Sequence, residues 1–163
     1  VSEKELEGIL RDLAGRVMEA MESWHDVVFI GIRSGGFLLA EATLGDAAFD
    51  ASVRELLGAL KCTLKTVEAT DPLLTGRMPG GSTGYAIGDV DYTVALRAER
   101  VGKPQPLLYR LELDGKLVGI YSPFDILYAQ TGGKAFGSRG YAPADARALA
   151  TNIALLAADR AAK

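Results

Sequence analysis

The chain predicts a single α/β domain: a mostly parallel sheet between two layers of helix, with one antiparallel hairpin. Three observations carry this. Leu107–Leu113 and Lys116–Tyr121 are apolar runs separated by Asp114-Gly115, and a type I′ turn needs positive φ at both central positions. KLVGIY (Lys116–Tyr121) and VVFIGI (Val27–Ile32) are nearly unbroken apolar runs, the pattern of strands covered on both faces. Apolar residues at helical spacing precede, separate and follow these runs, so helices and strands alternate along the chain.

In order, Ser2–Trp24 predicts an amphipathic helix. Ser2 and Glu5 form a capping box, and Leu6, Ile9, Leu10, Leu13, Val17 and Met21 share a face. VVFIGI follows, then an Arg33-Ser34-Gly35-Gly36 turn. Phe37–Ala42, FLLAEA, is too short for periodicity to decide, and strand is the reading preferred because a clear helix start comes later. Asp46 is that start, an N-cap ahead of Phe49, Val53, Leu56, Leu57 and Leu60. Thr63–Val67 predicts a short strand. Ala69–Asp89, with Pro72, Gly76, Pro79, Gly80, Gly81 and Gly84, predicts a long surface excursion. Val90–Ala98 alternates like a strand. After the hairpin, Ser122-Pro123 ends the ladder and a short helical turn runs to Ala129. Thr131–Gly140 is a second glycine-rich loop. Pro143 opens a closing helix to about Arg160 that buries Ala146, Leu149, Ala150, Ile153, Leu156 and Ala157.

The 163 residues suit one domain, with 48% hydrophobic and 24% charged residues. A net charge of −3 argues against a nucleic-acid partner. No apolar run reaches the length of a membrane span, and no signal-peptide pattern opens the chain. Position 1 is Val, so a piece of a larger protein is expected, and cytoplasmic and envelope-associated placements both suit it. One cysteine, Cys62, leaves no internal disulfide, and with one histidine, His25, the usual zinc ligand set is missing. No cofactor and no metal are expected.

The candidate site lies where strands end, because open α/β sheets bind ligands beyond the carboxyl ends of their strands. Glu41 and Ser122 close two predicted strands, and Asp125 follows the second. Arg139 and Tyr141, just ahead of the last helix, add an anion-seeking group and a polar aromatic. Against this stands the plain reading of each as a loop or cap residue hydrogen-bonded to the backbone. Asp89 and Asp91 are a weak cation pair, Cys62 a small buried thiol, His25 a packed loop histidine. The loops GRMPGGSTG and TGGKAFGSRG match neither phosphate-binding fingerprint. No catalytic constellation emerges.

The motifs SGGFLLAEATLGDAAFDASVRELL, TDPLLTG, LDGKLVGIYSPFDILYA and RGYAPADARALATNIALLA together resemble an uncharacterised bacterial family, domain of unknown function 4159, from about Ser34 to the C-terminus. In that family a G-G-F-L-L strand leads to an acidic residue, a D-H-P segment follows (here Asp71-Pro72 without the histidine), G-K-L-x-x-I-Y-S-x-x-D matches Gly115–Asp125, and R-G-Y…N matches Arg139–Asn152. The resemblance implies a flavodoxin-like, class I glutamine amidotransferase-like three-layer fold. It implies no activity, since the amidotransferase Cys-His-Glu triad has no counterpart at these motifs. The expected function is a non-catalytic binding or interaction domain for a small polar ligand or protein partner. More faintly, ILRDLAGRVMEAMESWHDVVFIGIRSGGFLLAE and Gly88–Thr93 are similar to regulatory-type uracil phosphoribosyltransferases. Val94, however, stands where their phosphate loop has glycine. Such a mixture would also suit a chimera, and it keeps a phosphoribosyltransferase-like or hydrolase-like enzyme as the alternative. Whether Phe37–Ala42 is strand or helix separates the two resemblances.

Overall fold

The computed structural model describes residues 27–32, 37–130 and 137–161. The helix expected over Ser2–Trp24, His25, the Arg33–Gly36 turn and most of the Thr131–Gly140 loop lie outside them.

Five strands form one sheet: β1 (Val27–Ile32), β2 (Phe37–Ala42), β3 (Thr63–Thr66), β4 (Tyr109–Leu113) and β5 (Lys116–Ser122), in the order β1-β2-β5-β4-β3. Phe37–Ala42 is thus a strand, with every residue buried. β5 is interior, flanked by β2 and β4.

The expected mostly parallel sheet is corrected. Only β2 and β5 pair in parallel, while β1–β2, β4–β5 and β3–β4 are antiparallel. For two of these pairs the reason is local: short connections join β1 to β2 and β4 to β5, and a short connection can only return a strand antiparallel. The Asp114-Gly115 turn behaves as its sequence demands, with φ of 50° and 73°.

Helices cover both faces. α1 (Ala47–Ala59) is capped by Asp46, whose side chain accepts the Phe49 N–H. It lays Phe49, Val53 and Leu57 on Leu38, Ala40, Ala42, Leu111 and Tyr121. The opposite face carries Phe37, Leu39 and Ile120 under α2 (Pro72–Thr75), α3 (Val94–Arg97), α4 (Leu127–Gln130) and α5 (Pro143–Ala161), with Leu149, Ile153 and Leu156 of α5 inside that core. The clean alternation of β2 between the two cores is the period-2 signature of a strand buried on both sides. In β5 the alternation slips once. Leu111 pairs with Gly119 but Glu112 with Leu117, which leaves Val118 as the extra residue of a bulge. Leu117 and Ile120, three positions apart, therefore serve the same core.

Two further expectations change. Val90–Ala98 is not a strand. Val90 and Tyr92 are buried, but among the described residues Tyr92 makes only an isolated bridge, with Tyr141, and Val94, 84% exposed, begins α3. Ala69–Asp89 is a surface excursion only in its second half: Pro79–Asp89 are mostly exposed and carry no named strand or helix, whereas Pro72–Thr75 are helical. Asp71 caps α2 through the Leu73 N–H, and Leu73, Leu74 and Met78 enter the core. Three apolar side chains in one turn and the residues after it outweigh the glycines that suggested a loose loop.

Candidate functional site

Parallel pairing sends β2 and β5 to the same edge of the domain, and the register sets Glu41 beside Ser122. The side-chain period places both on the face carrying α2 to α5. Pro123, which has no N–H to give, ends the ladder, and the chain turns. Ser122 Oγ holds that turn, donating to the Phe124 carbonyl at 2.5 Å and accepting its N–H at 3.2 Å.

The turn delivers Asp125 to the end of the sheet. Its main chain then pairs with the segment before α5: Asp125 N–H donates to the Arg139 carbonyl and Tyr141 N–H to the Asp125 carbonyl. The structure so brings Glu41, Ser122, Asp125, Arg139 and Tyr141 together at one end of the sheet.

It also turns them inward. Glu41 Oε2 accepts the N–H groups of Ile126 (2.8 Å) and Leu127 (3.1 Å), the donors a helix start leaves unpaired. Asp125 accepts Tyr128 N–H at 3.0 Å, Ala129 N–H at 3.3 Å and Ser138 Oγ–H at 3.1 Å. Tyr141 OH donates to the Leu107 carbonyl and accepts the Leu107 N–H. Glu41 is 1% exposed, and Ser122, Asp125 and Tyr141 are fully buried. Arg139 alone reaches solvent, tying Gly45 O through Nη1 at 2.8 Å and Glu99 through Nη2 at 2.6 Å. Its buried Nε has no hydrogen-bond partner among the described residues.

Burial sets the electrostatics. It pushes the Glu41 carboxyl from 4.5 up to about 7; the nearby Asp125 charge adds to the rise, while the Ile126 and Leu127 N–H groups oppose it. Asp125 is raised too, because burial outweighs the donors on it: Ala129 N–H, Ser138 Oγ–H, Tyr128 N–H and Leu44 N–H. Leu44 reaches its place with a φ of 55°, a conformation a branched residue adopts only where the surroundings enforce it. Two coupled carboxyl groups, one titrating near neutrality, resemble an acid–base pair in electrostatics. Their oxygens, however, point at backbone donors of their own chain.

The chain matches no protein-family model, no curated protein and no solved structure. No helix among the described residues is long and apolar enough to cross a membrane.

Of the other sequence candidates, Asp89 and Asp91 do not gather a third ligand. Among the described residues no three of His, Cys, Asp and Glu come together. The Asp91 backbone instead braces α5, through the Asp145 carboxylate and the Ala142 N–H. Cys62 is half-buried, and burial pushes its thiol up, away from the thiolate a nucleophile needs.

Sequence reasoning passed over the polar residues that α5 aims at the loops. Asn152, fully buried, donates to the Leu73 and Tyr85 carbonyls and accepts the Tyr85 N–H. Asp159 accepts from Gly80 N–H and Ser82 Oγ–H, so it holds the PGGS turn. Arg110 on β4 grips Asp71, with Nη2 at 2.8 Å. The signal was available for Asn152: it sits on the apolar stripe between Leu149 and Ile153, and a polar residue there must find partners.

Proposed function

We propose that this chain is a non-catalytic binding or interaction domain of a larger bacterial protein, one that holds a small polar ligand or a protein partner. The observation that carries this reading is the state of the strand-end carboxylates. Glu41 and Asp125 are both spent on backbone N–H groups of the same chain, which makes them staples of the loop that opens α4. A group that must move a proton on a substrate needs hydrogen-bond reach to it.

Kinship with the domain of unknown function 4159 family, and through it with amidotransferase-like folds, belongs to the same proposal. It draws support from helical cover on both faces, from a strand at Phe37–Ala42, and from the parallel β2–β5 pair that carries the motif residues to one edge. A flavodoxin-like sheet is parallel throughout, and the three antiparallel pairs here depart from it.

The enzyme reading keeps one observation in its favour, the Glu41 carboxyl near 7 beside Asp125. Thermal unfolding with phosphoribosyl diphosphate and Mg²⁺ separates the two. The binding-domain reading predicts an unchanged Tm. A rise that grows with ligand concentration, as binding linkage requires, contradicts it and revives a phosphoribosyltransferase-like enzyme.

A further inference from the structure

On the α5 side of the sheet, away from the strand-end carboxylates, a cavity of about 260 Å³ is lined by Pro79, Arg110, Leu117, Leu156, Asp159 and Arg160. Its floor is apolar, from β5 and α5. Its polar groups are unevenly spent. Asp159, the carboxylate, already accepts from Gly80 N–H and Ser82 Oγ–H, one on each oxygen. Arg110 uses Nε and Nη2 on Asp71, which leaves Nη1 over. Arg160 is exposed, in the last turn of α5, and makes no ion pair or hydrogen bond among the described residues. The cavity therefore sets two guanidinium groups with N–H donors to spare against one carboxylate, Asp159, each of whose oxygens already accepts a hydrogen bond from the Pro79 loop. The complement of such a surface is an acceptor with an apolar body.

We propose that this cavity binds a small organic acid, with its carboxylate on Arg160 and Arg110 and its hydrocarbon part on Leu117 and Leu156. The volume lies below the usual range for drug-sized ligand sites, so the fit is to a short aliphatic or aromatic acid and not to a nucleotide. The walls are fixed in advance. Asp159 pins the loop that carries Pro79, and the Asp71 pair holds the Arg110 guanidinium, which limits the ordering that binding would otherwise cost. This inference rests on the binding-domain reading. Detected turnover would remove that reading, whereas the groove is decided by ligand titration alone.

The test titrates the ¹⁵N-labelled full chain with hexanoate, acetate and inorganic phosphate at pH 7 and constant ionic strength. Saturable shifts of the Leu117, Leu156 and Asp159 amides with hexanoate, with a Kd of ~1 mM, are expected. Acetate should bind at least about tenfold more weakly, because it leaves the apolar floor uncovered. Arg160→Gln, at an exposed position and checked by its melt, should weaken hexanoate at least about tenfold, the loss of a charge-assisted contact. Arg160→Lys should recover part of that loss. No saturable shift at Leu117 and Leu156, unaltered binding by Arg160→Gln, or phosphate binding as tightly as hexanoate would each overturn the proposal.

Discussion

Glu41 receives the backbone N–H of Ile126 at 2.8 Å, across 85 residues of chain. That bond joins the end of one parallel strand to the first turn after the other. It explains why a carboxylate can stand in an otherwise apolar run. A buried carboxyl group keeps its place when donors meet its oxygens, and the start of a helix is a supply of donors. Asp125 repeats the device one step later with Tyr128 and Ala129. The edge of the sheet is thus closed by the residues that the sequence offers as a site.

Glu41 should make stability pH-dependent. Its folded-state carboxyl lies near 7 against an ordinary 4.5, so the fold prefers the protonated form. The stabilisation is complete below about 4.5 and is lost as pH rises through about 7, up to roughly 3 kcal/mol in all. Glu41→Gln keeps an oxygen for Ile126 and Leu127 but does not titrate. Urea unfolding from pH 4.5 to 8 should therefore show a flatter profile for the variant, with its advantage growing from pH 4.5 to about 7 and levelling off above. Parallel profiles would contradict the assignment.

Asn152 should behave as a core residue in spite of its polarity. Asn152→Ala leaves the Leu73 carbonyl and both backbone groups of Tyr85 without their side-chain partner. Denaturant unfolding should show a loss of roughly 2 to 4 kcal/mol. Asn152→Asp should cost more, because it sets a carboxylate against two carbonyl oxygens. A loss below about 0.5 kcal/mol in both would show that the loop does not depend on α5.

Gly119 of β5 pairs with Leu38 of β2. A Cβ there would lie 2.3 Å from the Leu38 carbonyl oxygen, so backbone must shift. Gly119→Ala should cost about 1 to 3 kcal/mol by overpacking, or more if the parallel pair parts. Far-UV circular dichroism with chemical denaturation measures it. An unchanged midpoint would place the two strands farther apart than they stand here.

Much of this architecture was legible in the chain. The Asp114-Gly115 hairpin, the Asp46 cap and the α5 stripe depend on residues within a few positions of one another, and local chemistry writes them plainly. The Val118 bulge and the antiparallel majority of the sheet depend on which strands become neighbours, and periodicity is silent on that. Val90–Ala98 misled because Val90 and Tyr92 are buried by loops and helices, which mimics strand alternation. The site residues stand out in the sequence with two readings open, a ligand contact or a loop residue bonded to the backbone. A carboxylate at a strand end looks the same in sequence whether it faces a ligand or a helix start, and only the Ile126 and Tyr128 amides distinguish the two.

The central claim is that the strand-end carboxylates are internal staples, and equilibrium unfolding of Asp125→Ala tests it most directly. The variant strands the N–H groups of Tyr128 and Ala129 and the Ser138 hydroxyl in a buried place. A loss of roughly 2 to 4 kcal/mol is predicted. A variant within about 0.5 kcal/mol of the parent would contradict the account, because a carboxylate that costs nothing to remove holds nothing in place.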